Sequence, residues 1–289
     1  FWKCPMSPLS RRDFLARSSA AVLASLAGPG MGVRFVSADD GATTRGARKA
    51  KTLLVPIFLR GGADGLNMVV PVAQDAYYNI RPTIAVPREA ALDLGGGFGL
   101  HPALEPFARL YGEKRLGIVH AVGHPESNRS HFEEQDRWET ARIETAATSE
   151  GWVNRFLAGH DGTGPVRAVA FGSALPRMLQ GKVPVQVVRD LDELRLATPS
   201  PRRDATRGAL ERLYAASEED MARVGGEALE AIRVLSGLDA ASYRPAGGAE
   251  YPQTSLGAQL KQTAQLVKAD VGLEVAEVEL GGWDTHQDQ

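Results

Sequence analysis

The chain has 289 residues, of which 43% are hydrophobic and 24% charged, and its formal net charge is -2. This length and composition are typical of a globular protein with a sizeable core, and the near balance of charge leaves no global positive field that would attract nucleic acid. The function must therefore be sought in a local site.

The first part of the chain, 1–40, carries an export pattern. Arg11 and Arg12 are followed by aromatic and aliphatic residues and then by small, mildly apolar residues at 20–27. This order is typical of a twin-arginine signal, so we expect the twin-arginine translocase as a partner during export and a periplasmic or extracellular location. The apolar segment at 18–31 is shorter than the ~20 residues of a membrane-spanning helix, so no stable span is expected there.

Both ends of the chain have features of a fragment. Phe1 is not an initiator, and Met6 stands at the usual distance before an arginine pair, so 1–5 are expected to belong to an upstream reading frame. Gln289 follows directly on a motif with no closing helix, which predicts a truncated domain. The single cysteine, Cys4, precedes the signal, so the exported protein is expected to hold no disulfide.

The first predicted strand ends in a glycine-rich turn with one carboxylate. Residues 53–59 are mostly apolar without alternation, as expected of a strand covered by helices on both faces, and Asp64 follows in the turn. Ligand sites in open α/β sheets lie at the carboxyl ends of the strands. Asp64 is therefore a candidate ligand, although this stretch taken alone favours an ordinary surface turn.

A second apolar segment, 116–122, predicts another buried strand, and a polar loop and a helix at about 132–146 follow it. Ser130 and Glu133 have the S-x-x-E spacing of a capping box, which sets the helix start. A strand, a polar loop and a helix amino terminus form a natural anion site. The same residues, with His131 beside them, fit ordinary capping and loop roles equally well.

The rest of the chain alternates strands and helices around one helical segment. Strands are predicted at 166–171 and 183–188, and apolar residues at helical spacing predict an insertion or cap afterwards. The predicted organisation is a signal at 1–40, the first part of an α/β domain at 52–189, a helical insertion at 190–250 and the truncated continuation of the α/β domain at 251–289.

The last predicted strand, 273–280, ends like the first in paired glycines and an aspartate, Asp284, with His286 two residues later. Because parallel strands place their carboxyl ends at one edge of a sheet, Asp64 and Asp284 are expected to meet there. Side chains two apart in an extended segment share a face. Carboxylate and imidazole ligands suit Zn²⁺ or a similar divalent ion, so these residues are candidates for a hydrolytic metal centre.

Five segments of the chain together resemble the exported bacterial proteins of domain of unknown function 1501. They are LRGGADGLNMVVP, SNRSHFEEQDRWE, FGSALPRMLQG, YPQTSLGAQLK and GGWDTHQDQ, within 53–289. That family is placed with the alkaline phosphatase and sulfatase superfamily. The resemblance therefore implies an alkaline-phosphatase-like α/β fold, with a mostly parallel sheet flanked by helices, a helical insertion and a two-metal site, here incomplete at the carboxyl-terminal end.

The resemblance also implies metal ligands. Asp64 matches the metal aspartate of the superfamily's first strand, and Asp284 and His286 match the ligand pair after a later strand. The ion is expected to be zinc, with calcium, magnesium and manganese as alternatives. Family members continue past GGWDTH into a further Asp-His-Gly segment that would complete the metal set, and this chain does not contain it.

The same resemblance implies catalytic residues. Ser130 or Ser127 would occupy the nucleophile position at a helix start, and Arg129 would hold an oxyanion. No cysteine stands in a sulfatase-type C-x-P-S-R context, so a formylglycine sulfatase is not expected.

Two functions follow as hypotheses. The leading one is an exported metal-dependent hydrolase of small-molecule or glycan phosphate or sulfate esters, here with an incomplete site, weak metal binding and little turnover. The alternative is a non-catalytic exported protein that binds a cell-surface glycan or a protein on the same scaffold. A third, structural interpretation is that the glycine turns only shape the loops and that the two aspartates never approach each other.

Overall fold

The computed structural model of the chain describes residues 52–125, 129–142, 150–159, 161–162, 164–191, 202–238 and 242–286. The predicted export signal lies outside these residues. The strands are β1 Ile57–Gly61, β2 Val69–Val70, β3 Leu92–Gly95, β4 Phe98–Leu100, β5 Ala168–Phe171, β6 Gln186–Val188 and β7 Val275–Trp283. The helices are α1 Gly65–Met68, α2 Asp75–Ile80, α3 Glu105–Gly112, α4 His131–Thr140, α5 Trp152–Ala158, α6 Arg203–Ala215, α7 Glu219–Ser236 and α8 Ser255–Lys268.

The chain is a mixed α/β protein whose main sheet has four strands in the order β1-β7-β5-β6. Each neighbouring pair in this sheet is parallel. The first and last strands of the described chain are thus direct neighbours, and Gly61 pairs with Trp283 where they end. This confirms the expectation that the two glycine-rich turns leave the sheet at one edge. A smaller antiparallel sheet has the order β2-β4-β3.

Helices cover both faces of the four-stranded sheet. On one face Val169 of β5 packs in a cluster with Leu235 of α7 and Leu266 of α8. On the other face Ala170 of β5 packs in a cluster with Leu157 of α5. All five of these side chains are almost completely buried, which explains why the strand sequences are apolar without alternation. Apolar burial on both faces fixes the sheet whose edge carries the candidate site.

The segment 116–122, predicted as a buried strand, forms no strand. Val119 is 81% exposed and Val122 is 54% exposed, and Ala121 has a positive φ of 53°. The prediction was wrong because an apolar run becomes a strand only where a neighbour supplies hydrogen-bond partners, and the described strands pair with one another without this segment.

Helix α4 begins where the capping residue predicted it but ends earlier than expected. The Ser130 Oγ accepts a hydrogen bond from the Glu133 amide at 3.3 Å, so Ser130 is the amino-terminal cap. The helix stops at Thr140 because Ala141 adopts the left-handed conformation, with a φ of 49°.

In the parts of the chain that the structure describes, every helix is too short or too polar to cross a bilayer.

Candidate metal centre

The carboxyl ends of β1 and β7 lie directly against each other at the edge of the sheet. The Gly62 amide donates to the Trp283 carbonyl at 2.8 Å. Gly61 has a φ of 132°, and a Cβ built on it would lie 2.3 Å from the Asp284 nitrogen. Only glycine fits this close approach of two backbones. The paired glycines of the first turn therefore have a packing function, which is to bring the β1 turn against Asp284.

Three side chains from α4 and the end of β7 converge at this edge. The Asp284 Oδ1 lies 3.1 Å from the His131 Nε2 and 2.9 Å from the His286 Nε2. One candidate ligand atom from each residue lies within 4.8 Å of the others. The two imidazole rings stand nearly perpendicular, with centroids 5.6 Å apart. We refer to these three residues as the His–Asp–His site.

The His–Asp–His site has donor types that Zn²⁺ accepts, and both Nε2 atoms also lie within hydrogen-bond distance of the Asp284 Oδ1. Zn²⁺ bonds of 2.0–2.1 Å in a tetrahedron place neighbouring ligand atoms roughly 3.3 Å apart, which is close to the two measured Asp284 contacts. The side chains of His131, Asp284 and His286 are 38%, 50% and 73% exposed. The site is therefore open to solvent, and Zn²⁺ held by all three side chains would have room for a fourth ligand from outside the chain.

His131 reaches this edge because α4 packs over the turn that follows β1. A Cβ built on Gly62 would lie 2.7 Å from the His131 Cε1, so the imidazole rests directly on the Gly62 backbone. The sequence indicated the helix start at Ser130 but did not single out His131 as a ligand. The feature of the sequence that could have indicated His131 is a histidine immediately after a capping serine. This feature points to a site only when the position of the helix beside β7 is known.

Asp64 lies in the turn after β1, but it has other partners. Its Oδ1 accepts from the amides of Leu66 and Asn67 at 3.2 and 3.3 Å, so it caps the short helix α1. Its Oδ2 forms an ion pair with Arg81. Among the described residues, the group with metal-ligand spacing is the His–Asp–His site, which does not include Asp64. A metal-binding role for Asp64 stays a prediction.

The predicted catalytic residues lie just before His131 in the sequence. Ser130 is the α4 cap, one residue from His131, and Arg129 is exposed. Ser127 lies outside the described residues. The structure thus brings Ser130 and Arg129 to the edge of the sheet where the His–Asp–His site lies.

Behind the site, α4 and the sheet share a polar cluster formed by Arg60, Gln135, Glu139, Glu277 and Glu279. The Arg60 guanidinium donates to the Gln135 Oε1 at 2.9 Å and to the Glu139 Oε2 at 3.3 Å, both on α4. Its Nε donates to the Glu279 Oε1 of β7 at 2.8 Å. Arg60, at the end of β1, therefore ties α4 to β7. Burial is the largest single effect on the Arg60 pKa and lowers it, but the hydrogen bonds and charges of Glu279 and Glu139 together raise the pKa above its ordinary value.

Glu277 is the member of the polar cluster that forms no hydrogen bond through its side chain within the described part of the chain. It is completely buried, and neither of its carboxylate oxygens has a hydrogen-bond partner among the described residues. Burial first, and then the charges of Glu279 and Glu139, together raise the pKa of Glu277 to about 8 against the opposing effect of Arg60. At neutral pH the Glu277 carboxyl is therefore mostly protonated.

Replacing Glu277 with glutamine is expected to reduce the loss of stability that accompanies rising pH. The folded pKa lies above the ordinary value of 4.5, so the folded state holds a proton that the unfolded state releases, and stability falls as pH rises until it levels above about 8. This group alone should cost the wild type about 3 kcal/mol between pH 5.5 and 8.5. Urea unfolding of both proteins at these two pH values measures the difference, and equal pH dependence would contradict the assignment.

Comparison of the chain with models of known protein families, with curated proteins and with solved structures found no match.

Proposed function

We propose that the chain binds a divalent metal ion, zinc first among them, through His131, Asp284 and His286, and that it is an exported metal-dependent hydrolase of phosphate or sulfate esters. The observation that carries the proposal is the convergence of two imidazoles on one carboxylate, at 3.1 and 2.9 Å, where two neighbouring parallel strands end. A bound ion would polarise an ester oxygen and neutralise its charge.

The surroundings of the His–Asp–His site favour an anionic substrate. His131 is the first residue of α4, a helix of ten residues, so the positive end of the helix dipole and its first amides lie at the site. Arg129, exposed two residues earlier, adds a guanidinium suited to the oxygens of a phosphate or sulfate group. These features support an ester of a small molecule or a glycan as the ligand class.

Ser130 is the proposed nucleophile of the chain. It lies next to His131, so its Oγ would attack the phosphorus or sulfur of an ester held by Arg129 and the α4 amides; the ester's bond to its alcohol breaks, and the alcohol leaves with the serine proton. Water would then attack the phosphorus or sulfur of the seryl ester, which releases phosphate or sulfate and restores the Ser130 hydroxyl. Ser127 is the alternative nucleophile. The five motifs that resemble domain of unknown function 1501, and the twin-arginine pattern before them, support this assignment and a periplasmic or extracellular location.

A non-catalytic binding function is the second candidate, and two contacts favour it. The Ser130 Oγ already accepts from the Glu133 amide, and Asp64 already pairs with Arg81. Both residues thus have structural roles that do not require turnover. In this alternative the chain binds a cell-surface glycan or a protein through the same edge of the sheet.

Metal analysis and an ester panel separate the two candidates. The full chain, treated with a chelator and reloaded with Zn²⁺, is expected to bind one equivalent weakly and to cleave an aryl phosphate or an aryl sulfate slowly, but faster than the metal-free chain. Absence of bound metal would contradict both the metal site and the hydrolase. Stoichiometric metal without cleavage of any ester would favour the binding function.

Replacing Gly62 with alanine is expected to weaken Zn²⁺ binding about tenfold or more. The added Cβ would lie 2.7 Å from the His131 Cε1, so the imidazole must move away from Asp284. Gly65→Ala is the matched control, because a Cβ at Gly65 meets no atom within 4 Å. Competition titration against a chromophoric chelator measures both affinities, and equal affinities would show that Gly62 does not position His131.

A further inference from the structure

Helix α4 connects the His–Asp–His site to the polar cluster. His131, Gln135 and Glu139 follow one another at intervals of four, which places them along one stripe of the helix. His131 contacts Asp284 at one end of this stripe, and Gln135 and Glu139 bind Arg60 farther along. A change in how α4 lies on the sheet therefore moves a metal ligand.

The two strands against which α4 packs, β1 and β7, also carry or lead to residues of both the polar cluster and the His–Asp–His site. Strand β7 carries Glu277 and Glu279 and then leads to Asp284, while β1 supplies Arg60. The elements that hold the polar cluster together are thus the elements that deliver His131 and Asp284. The geometry of the His–Asp–His site depends on the fit of α4 to β1 and β7.

The balance of charge within the polar cluster depends on Glu277. One guanidinium, Arg60, faces three carboxyl groups, and it bonds to Glu139 and Glu279. On the β5 side Glu277 is paired in register with the apolar Ala170. An ionised Glu277 would be a third negative charge, fully buried and without a hydrogen-bond partner among the described residues.

Other charges around α4 form pairs of their own. Arg177, on the 3₁₀ turn beside α4, lies 3.0 Å from the Asp136 carboxylate. On α4 itself, Arg137 pairs with Glu134, which also lies 3.8 Å from His124. The charged groups that act on Glu277 are therefore Arg60, Glu139 and Glu279.

We propose that Glu277 is a positioning residue for the metal site, and that it must hold a proton for α4 to lie on the sheet with His131 beside Asp284. The consequence for metal binding rests on the proposed function, whereas the closure of α4 does not. In the proposed arrangement α4 helps to shield the buried Glu277 from water, so Glu277 would release its proton when α4 lifts away. The closed arrangement therefore weakens as pH rises, by up to about tenfold per pH unit, and levels off above the folded pKa of about 8.

Amide hydrogen exchange of the metal-free full chain tests this proposal. Between pH 6 and 8.5, protection factors corrected for the intrinsic exchange rate are expected to fall at least tenfold in α4. Glu277→Gln should remove most of this fall, because the neutral amide cannot ionise. Glu89→Gln, at an exposed glutamate, is the matched control and should behave like the wild type.

Helix α8, which packs on the opposite face of the sheet, provides the internal reference. We expect α4 amides to exchange faster than α8 amides at every pH, since α4 opens without the rest of the fold. Equal protection of the two helices would mean that α4 opens only on global unfolding, and this would overturn the proposal. The same pH dependence of α4 in Glu277→Gln and in the wild type would also overturn it.

A second variant keeps the test decisive if Glu277→Gln does not fold. Glu139→Gln removes a neighbouring negative charge, which lowers the Glu277 pKa and should move the α4 exchange midpoint to lower pH; an unchanged midpoint would contradict the proposal.

Titration with Zn²⁺ at pH 6.5 and 8 measures the consequence for metal affinity in a separate experiment. Glu277→Gln should match the wild type at pH 6.5 and bind several-fold more tightly at pH 8. If no variant binds Zn²⁺ but α4 exchange behaves as stated, the metal function fails and the positioning of His131 stands.

Discussion

Replacing Asp284 with asparagine is expected to reduce the affinity for Zn²⁺ by on the order of 100-fold or more. Asp284 is the anionic member of the His–Asp–His site, and its Oδ1 contacts both His131 and His286. Asparagine keeps the shape of the side chain and removes its charge, so the fold should be unaffected while the metal loses its strongest electrostatic partner. Competition titration against a chromophoric chelator gives the two dissociation constants.

The matched control for this variant is Asp161→Asn, at an exposed aspartate outside the site. It makes the same change of charge and should leave the affinity unchanged. If Asp284→Asn binds Zn²⁺ as tightly as the wild type while both proteins unfold at the same urea concentration, the metal is held elsewhere and the assignment of Asp284 is wrong.

The second large effect concerns the contact between the two strand ends. Gly61→Ala is expected to destabilise the fold by on the order of 3 kcal/mol, because its Cβ would lie 2.3 Å from the Asp284 nitrogen and 2.4 Å from the Trp283 carbonyl carbon. The φ of 132° adds strain for any residue with a side chain. Urea unfolding measures the loss of stability.

Gly65→Ala provides the comparison for this substitution as well. Gly65 lies in α1, a Cβ there meets no atom within 4 Å, and alanine favours a helix, so the free energy of unfolding should change by less than about 0.5 kcal/mol. A loss of similar size in both variants would show that the turn tolerates no side chain in general. Only a loss specific to Gly61 supports the packing of β1 against β7.

The two strand ends that carry the site could be predicted because the physical signal is local. A continuous apolar run indicates a strand buried on both faces, and paired glycines with an aspartate mark its end. Since this pattern occurs at both Asp64 and Asp284, and parallel strands end at one edge, the position of both turns at one edge of the sheet followed from general rules of α/β topology. The direct pairing of β1 with β7 was not predicted.

The member of the His–Asp–His site that α4 supplies, His131, could not be predicted in the same way. The position of His131 beside Asp284 depends on where α4 packs, and that position is set by Gly62 and the Arg60 contacts, which are distant in sequence. Likewise, the ion pair between Arg81 and Asp64 joins residues whose proximity no local pattern indicates. These are tertiary effects, and they decide which carboxylate lies next to the histidines.

The sequence also did not show which segments are paired in a sheet and which side chains are buried. The segment 116–122 has the composition of a buried strand, yet Val119 is largely exposed, because composition does not specify a pairing partner. Glu277 shows the opposite case. Its sequence neighbours predict a strand, but only the packed structure shows that this carboxyl group is completely buried beside two other acids.

X-ray absorption at the zinc edge of the Zn²⁺-loaded chain tests the central claim most directly. The His–Asp–His site predicts one zinc per chain with the scattering pattern of two imidazole rings, and the pattern of one ring in His131→Ala. Zinc that shows no imidazole scattering, or the same scattering in His131→Ala as in the wild type, would contradict the claim that α4 and the end of β7 form a metal site.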